Sequence, residues 1–315
     1  MIFVTGATGF VGAALVAKLA RDGAPTRACI RRDSASIPPG VETAWIKDLT
    51  IDTDWLPALR GIDVVIHCAS RVHVMDDRAS DPLAEFRRTN VDGTLNLARQ
   101  AAATGVRRFV FISSVKVNGE ATQSGNSFSE EDVPAPSDPY GVSKMEAENG
   151  LRQIAAQSGM AVVIVRPPLV YGPGVKANFA SLMRAVRRRW PLPLGAVHNR
   201  RSLVALDNLV DFVVTCAVHP AAANQTFLVS DGVDMSTTRL IHGMAHAEGV
   251  SARLIPVPVW ALRAVATLLH KADQVDRLCG NLQVDISKAR RLLGWLPPVS
   301  VAEGLRRAAA SGLKP

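Results

Sequence analysis

A tyrosine, a lysine and a serine have the types and the spacing of an acid–base site. Tyr140 and Lys144 are four residues apart at the start of a segment, 140–157, with a helical pattern, so their side chains lie on one face. A phenol has an ordinary pKa of about 10, and a nearby ammonium stabilises the phenolate, so we expect Lys144 to lower the pKa of Tyr140. Ser114 ends a predicted strand, where its hydroxyl can hydrogen-bond the oxygen that Tyr140 protonates. Such a set suits proton transfer at a carbonyl or alcohol oxygen.

The beginning of the chain carries three spaced glycines between a predicted strand, 2–4, and a predicted helix, 13–21. Glycine permits the sharp turn and the close approach of a pyrophosphate, and free N–H groups at the helix start attract its charge. A tight turn that binds nothing would not need three such glycines. The context predicts dinucleotide binding, and a nicotinamide beside the serine and tyrosine would make a hydride-transfer site. The residues expected at this turn are Gly6, Thr8, Gly9, Phe10, Val11 and Gly12.

Two arginines follow the second predicted strand, 26–30. An acidic residue at this strand end binds the adenosine ribose of NAD, whereas an arginine accepts the 2′-phosphate of NADP. Arg31 and Arg32 therefore favour NADP slightly, while Asp33 keeps NAD open. Two solvated arginines without a ligand are the alternative interpretation.

Strands that alternate with helices predict an α/β fold, a doubly wound parallel sheet of the Rossmann type. The continuous apolar run 62–68 is typical of a central strand that is covered on both faces, and it opens into Cys68, Ala69 and Ser70 beside the expected nicotinamide end. Regular alternation stops near residue 174. We predict a dinucleotide-binding domain over 1–173, with a return at 203–235, and a smaller C-terminal substrate-binding domain over 174–315.

Composition and charge narrow the class of partner. The 315 residues carry a net charge of +8, but the basic residues form short runs without interleaved aromatics or a recognition motif, so we expect no nucleic acid. An anionic small substrate explains the charge as well. The seven histidines show no metal-ligand spacing, and the four separated cysteines are expected to be reduced core thiols.

The apolar stretch 257–269 raises the question of a membrane. It is interrupted by Pro258 and Arg263 and is too short to span a bilayer, so we expect no stable membrane insertion. A core or lid helix is favoured over a membrane-surface role. No signal peptide precedes the first strand, which favours a cytoplasmic protein.

Four motifs together resemble the extended short-chain dehydrogenase/reductase family of NAD-dependent epimerases, dehydratases and reductases that act on nucleotide sugars. They are TGxxGxxG at 5–12, NVxGT at 90–94, YxxxK at 140–144 and a closing signature over 285–297. Tyr140 and Lys144 alone could equally be surface residues, but these motifs occur at the family's intervals. The resemblance implies a homodimer. Asp48 and Leu49 close the third predicted strand, and the resemblance implies that they lie along the adenine. It also implies that Asn90 braces the active site, and that Pro167, Lys144 and Tyr140 border the nicotinamide.

The resemblance also places a UDP-sugar in the C-terminal part. Asn178 and Arg201 match positions that hold the UDP pyrophosphate in relatives, and Arg277 matches a second clamp. Arginine suits such oxygens because it binds them bidentately. Plain surface arginines are the alternative for Arg201 and Arg277. Arg71, Ser114 and Leu194 complete the expected substrate site.

Two departures from the family pattern indicate the reaction. Sugar 4,6-dehydratases carry an Asp–Glu pair directly after the catalytic serine or threonine, and here Val115 and Lys116 hold those positions, which argues against dehydration. Asn118 stands where epimerases commonly have tyrosine. The stretch 112–120 resembles a bacterial polysaccharide-locus subgroup, whose members include 4-keto-reductases that form UDP-N-acetylquinovosamine. Reduction of a UDP-4-keto-6-deoxy-N-acetylhexosamine by NAD(P)H is therefore expected, with a UDP-hexose or UDP-N-acetylhexosamine 4-epimerase that retains NAD as the alternative.

Overall fold

The computed structural model describes residues 1–32, 37–72, 81–269 and 272–311. Over these residues seven parallel strands form one sheet in the order β3-β2-β1-β4-β5-β6-β9, and two more form a small separate sheet, β7-β8. The predicted doubly wound parallel sheet is confirmed. The strands are β1 Ile2–Thr5, β2 Thr26–Ile30, β3 Glu42–Trp45, β4 Val64–His67, β5 Arg108–Ile112, β6 Ala161–Arg166, β7 Leu169–Tyr171, β8 Leu203–Ala205 and β9 Thr226–Leu228.

Helices cover both faces of the main sheet, because successive side chains of a strand point to opposite faces and both sides of these strands are apolar. In β1, for example, Phe3 packs into one core layer and Val4 into the other. The helices are α1 Phe10–Arg21, α2 Leu56–Leu59, α3 Pro82–Phe86, α4 Thr94–Ala103, α5 Pro139–Ser158, α6 Ala177–Arg187, α7 Leu206–Val218, α8 Thr237–Ala247, α9 Val259–Leu268, α10 Ala272–Cys279, α11 Ser287–Leu293 and α12 Val301–Ser311, with a π-helical segment Arg87–Gly93 before α4.

The C-terminal part has a core cluster of its own. Tyr171, Phe179, Met244 and Leu305 belong to this third cluster, which α6, α8 and α12 build beside the main sheet. Within 203–235 the chain returns to the main sheet, where β9 pairs with β6. The division of the chain into two domains at 173/174 stays a prediction.

The structure corrects three sequence-based expectations about local structure. Strand β3 ends at Trp45, so Asp48 and Leu49 lie in the segment after it instead of closing it. Helix α9 is not a core helix, because Ala266 alone among its described residues is buried. All four cysteines are free, but only Cys29 and Cys216 are buried. Among the described residues no helix is long and apolar enough to cross a membrane.

Candidate active site

Helix α5 carries Tyr140 and Lys144, and its first turn is well defined by the sequence. The Asp138 carboxylate caps the helix by accepting from the Gly141 N–H at 2.6 Å, and Pro139 takes the first helical position, where the missing N–H costs nothing. Lys144 is buried, and its Nζ donates to the Ile112 carbonyl at 2.9 Å. The lysine thereby ties α5 to the end of β5.

Ser114 lies two residues beyond that carbonyl, where the chain leaves the sheet. Its Oγ accepts from the Lys116 N–H at 3.2 Å and so caps a short 3₁₀ turn, 115–117. The Val115 N–H donates to the Pro167 carbonyl at 3.0 Å, which holds the turn against the segment after β6. The tertiary structure therefore brings Ser114 to the helix that carries Tyr140 and Lys144.

Burial favours the neutral forms of both Lys144 and Tyr140, because it disfavours a charge on either side chain. Desolvation lowers the pKa of Lys144 to about 7, although the nearby Cys68 and Glu148 act in the opposite direction. Desolvation also raises the pKa of Tyr140 to about 12, against a hydrogen bond with Ser70 that lowers it. The expectation that Lys144 lowers the pKa of Tyr140 is therefore wrong in this structure. The ammonium is engaged with a backbone carbonyl and lies 4.5 Å over the Phe111 ring, so desolvation of the phenol dominates.

The glycine turn, 6–12, forms a cradle of closely packed backbone. Gly6 has φ +65°, and a Cβ there would lie 2.7 Å from the Ala69 nitrogen. A Cβ on Gly12 would lie 2.1 Å from the Gly6 carbonyl oxygen. Helix α1 starts at Phe10 without a side-chain cap, so its first N–H groups are available to an anion. Thr8 is exposed at the turn, and Phe10 and Val11 are half-buried in the first helical turn. These residues fit a dinucleotide pyrophosphate.

Three strand ends bring this cradle to the catalytic helix. β1 pairs with β4, and β4 pairs with β5, so their carboxyl ends lie side by side at one edge of the sheet. The glycine turn follows β1, Cys68, Ala69 and Ser70 follow β4, and Ser114 follows β5. Desolvation of the Cys68 thiol raises its pKa to about 12, and the charge of Lys144 acts in the opposite direction.

Asn90 braces this edge from the π-helical segment. Its Oδ1 accepts from the Arg71 N–H at 2.8 Å, and its Nδ2 donates to the Arg71 carbonyl at 3.0 Å and to Ser143 Oγ at 3.0 Å. One buried amide thus joins the segment after β4 to α5. Next to it Gly93 packs on Leu49, since a Cβ there would lie 2.8 Å from the Leu49 carbonyl oxygen.

A buried ion pair beneath the site was not anticipated from the sequence. Arg166, at the end of β6, donates to both carboxylate oxygens of Glu148, at 2.9 and 2.6 Å, and to Asn118 Oδ1 at 3.0 Å. Ser113 Oγ also donates to Glu148, at 2.6 Å. The network joins α5, β5 and β6 directly below Ser114. One sequence signal was available, because an arginine at the end of the apolar run 161–165 needs a buried partner.

Lys116 stands where sugar 4,6-dehydratases carry the second residue of their Asp–Glu pair, and here it forms ion pairs with nearby carboxylates. Its ammonium forms an ion pair with the Asp138 carboxylate, which caps α5, and another with Glu120 at 3.0 Å. Lys116 therefore fastens the turn after Ser114 to the start of the catalytic helix. Asn118, which stands where epimerases commonly have tyrosine, is buried and donates to the Ser129 carbonyl at 2.8 Å.

Comparison with known proteins identifies this architecture. Residues 2–230 match the NAD dependent epimerase/dehydratase family. The chain belongs to this family. It is 48% identical to a UDP-glucose 4-epimerase of Vibrio cholerae, over 99% of this chain and 95% of the relative.

Two solved structures of similar fold contain cofactors. MoeE5 in complex with UDP-glucuronic acid and NAD superposes with a TM-score of 0.78 at 25% identity, covering 99% of this chain and 98% of MoeE5. The structure of RMD from Pseudomonas aeruginosa complexed with NADPH has a TM-score of 0.76 at 25% identity, covering 98% and 97%. Membership of the family confirms the resemblance. The narrower quinovosamine subgroup stays a prediction.

The residues expected at the adenosine end of the cofactor lie after β2 and β3. Arg31 and Arg32 are exposed directly after β2, and Asp33 lies outside the described residues. Asp48 is exposed, while Leu49 is buried against Gly93. Of the expected residues that the structure describes here, Arg31 and Arg32 supply positive charge and Asp48 supplies a carboxylate.

The residues expected to hold the substrate are spread over the C-terminal part and are only partly brought together. Arg201 Nη1 donates to the Gly280 carbonyl at 3.1 Å, and burial lowers the pKa of its guanidinium. This contact lies just after α10, the helix that carries the exposed Arg277. Asn178 is exposed in the first turn of α6, and Leu194 is buried in the third cluster. Arg71 lies apart from them, with its guanidinium 5.6 Å over the Phe86 ring.

Proposed function

We propose that this site interconverts an alcohol and a ketone at C4 of a UDP-linked hexose derivative. The observation that carries the proposal is the position of Ser114, Tyr140 and Lys144 at the strand edge that also holds the glycine cradle. Proton transfer and cofactor binding are thereby available at one place. Ligands of such folds bind at the carboxyl ends of the strands.

When bound, a nicotinamide dinucleotide accepts or donates the hydride. Tyr140 supplies the proton to the ketone oxygen, and Ser114 donates a hydrogen bond that orients the same oxygen. With a pKa of about 12, the phenol is protonated at neutral pH and is ready to donate. Lys144 holds the nicotinamide ribose, and its positive charge stabilises the phenolate that forms as the proton leaves.

The residues after Ser114 argue against elimination of water. Val115 is buried and cannot transfer a proton, and the Lys116 ammonium is engaged by two carboxylates. The reaction left for this site is oxidation or reduction at C4 of the sugar. Our first candidate is the reduction of a UDP-4-keto-6-deoxy-N-acetylhexosamine. Exposed Arg31 and Arg32 suit the 2′-phosphate of NADPH, which a reductase must replace with a fresh molecule in each cycle.

A UDP-sugar 4-epimerase is the second candidate, and the V. cholerae relative favours it. Both reactions use the same three side chains. An epimerase retains its cofactor and returns the hydride to the other face of C4, whereas a reductase releases the oxidised cofactor.

The substrate and cofactor contacts follow from the same proposal. Arg201, Asn178 and Arg277 bind the pyrophosphate of UDP, while Leu194 and Arg71 border the nucleotide and the sugar. Asp48 and Leu49 border the adenine, Asn90 holds the edge in place, and Pro167 with residues 68–70 borders the nicotinamide. A homodimer through α4 and α5, and a cytoplasmic location, remain predictions.

Supplying single substrates should separate the two reactions. The absorbance of the reduced nicotinamide monitors the reaction. We expect the reduced cofactor to be consumed with the UDP-4-keto-6-deoxy-N-acetylhexosamine, and not with UDP-GlcNAc or UDP-glucose. Sugar products are resolved chromatographically in each reaction. Interconversion of UDP-GlcNAc with UDP-GalNAc, or of UDP-glucose with UDP-galactose, without net cofactor turnover would replace the reductase by the epimerase.

The cofactor preference has its own test by calorimetry. NADPH should bind about tenfold or more tightly than NADH, because one charge-assisted contact to the 2′-phosphate contributes roughly 1.5 kcal/mol or more. Arg31→Ser should remove this preference and leave NADH binding unchanged. Arg60→Ser, which removes another exposed arginine, is the matched control. Equal or tighter binding of NADH by the unmodified protein would show that Arg31 does not select the cofactor.

A further inference from the structure

Helix α9 presents an apolar ridge to solvent, formed by Trp260, Ala264, Val265, Leu268 and Leu269. Trp260 is 74% exposed and Leu268 is 85% exposed. Trp260, Ala264 and Leu268 follow one another at intervals of four, so they lie along one face of the helix, and Val265 flanks them. Exposed apolar side chains at consecutive turns form a patch, which is uncommon on a soluble surface and marks an interaction site.

The ridge is held firmly by the opposite side of the same helix. Val259 and Leu262 pack against the third core cluster, and Ala266 is buried. Arg263 flanks the ridge, and its Nε donates to Asp276 Oδ1 of α10 at 2.8 Å. The exposed side chains therefore project from a helix that is anchored to the protein.

Basic residues lie next to the ridge. The Leu192 N–H donates to the Arg253 carbonyl at 2.9 Å, and the Ile255 N–H donates to the Leu192 carbonyl at 2.8 Å, which joins segment 188–192 to segment 253–255 just before α9. The first segment carries Arg188, whose guanidinium lies 5.6 Å over the half-exposed Trp190 ring. Arg189 and Arg253 belong to the same joined segments and are exposed.

The segments that carry this surface contain no acidic residue, since no Asp or Glu occurs in 184–192 or in 249–269. Arg188, Arg189 and Arg253 are exposed, whereas Arg263 is paired with Asp276 of α10. The local charge is therefore positive and complements an anionic partner. An anionic bilayer attracts basic residues, and tryptophan and leucine enter its interface.

We propose that the ridge and the adjacent basic segment bind the surface of an anionic phospholipid bilayer. The ten residues of α9 are too few to span the hydrocarbon, so the helix lies in the interface with the ridge towards the lipid. A second copy of the chain is disfavoured as the occupant, because a two-fold axis at the ridge would bring the same arginines of both copies together.

The test is vesicle flotation of the full-length protein, which does not depend on the proposed reaction. We expect binding to vesicles that contain phosphatidylglycerol, little binding to pure phosphatidylcholine, and weakening with salt. Trp260→Ser/Leu268→Glu should reduce the partition constant by about tenfold or more. Trp45→Ser/Leu56→Glu removes a comparable exposed pair elsewhere and should bind as the unmodified protein does. Circular dichroism verifies folding of both variants.

Three outcomes would overturn the proposal. They are no binding to phosphatidylglycerol vesicles at low salt, equal loss of binding in the two double variants, and unchanged binding in the ridge variant. Light scattering without lipid identifies the competing occupant, since self-association that the ridge variant alone abolishes, in the absence of vesicle binding, would assign the ridge to a second copy.

Discussion

Replacing Tyr140 with phenylalanine should lower turnover by roughly two or more orders of magnitude, as expected when an acid–base group is lost. The substitution keeps the ring, including its edge contact with Phe86 at a centroid distance of 6.0 Å, and removes only the hydroxyl. Dinucleotide affinity should therefore remain nearly unchanged. The measurement is single-turnover oxidation of the reduced nicotinamide with the accepted sugar nucleotide, accompanied by calorimetry of cofactor binding.

Three further variants make this result specific. Tyr171, the other tyrosine, donates to buried Asp231 at 2.7 Å, so Tyr171→Phe should lower stability and leave turnover per folded molecule unchanged. Ser114→Ala should reduce turnover as Tyr140→Phe does, whereas Ser114→Thr retains a hydroxyl and should retain much of the activity. Unimpaired turnover in Tyr140→Phe would show that the proton comes from another group.

Arg166→Met should lower the free energy of unfolding by about 3–5 kcal/mol, because it removes the buried partner of the Glu148 carboxylate. Glu148 then keeps only the partly exposed Arg152, at 2.9 Å, as a cationic partner. Both side chains of the Arg166–Glu148 pair are almost inaccessible, at 2% for Arg166 and 0% for Glu148. Glu148→Met should have a similar effect. Equilibrium unfolding in urea is the measurement. The dependence of the unfolding free energy on urea concentration should stay unchanged, because a change would indicate an altered denatured or native state.

The double variant Glu148→Met/Arg166→Met distinguishes a buried charge pair from simple loss of packing. Replacing both charges by apolar side chains should recover much of the lost stability, because neither partner is then left unpaired. Arg263→Met breaks an ion pair whose side chains are 57% and 55% exposed and should have a far smaller effect. Additive losses in the double variant would contradict this account.

The structure supports much of the fold that was predicted from the sequence, since the signals for it are local. A Cβ at Gly6 or Gly12 would collide with backbone atoms of the turn or of the segment after β4. The presence of glycine at these positions in the sequence is enough to predict this close packing. The interval between Tyr140 and Lys144 predicts a shared helix face without knowledge of any partner. The sequence gives a weaker signal for the substrate contacts. Arg201, Asn178 and Arg277 belong to separate elements, whose arrangement depends on the packing of the C-terminal part.

The sequence by itself determined the sheet, the glycine turn after β1, and the helix that carries the tyrosine and lysine. Only the tertiary structure decided the direction of the Tyr140 pKa, the pairing of Glu148 with Arg166, and the exposure of α9. The physical reason is common to all three. Desolvation, ion pairing and burial depend on which atoms from distant segments surround a group, so a phenol beside a lysine becomes less acidic, and an apolar helix remains uncovered on one side.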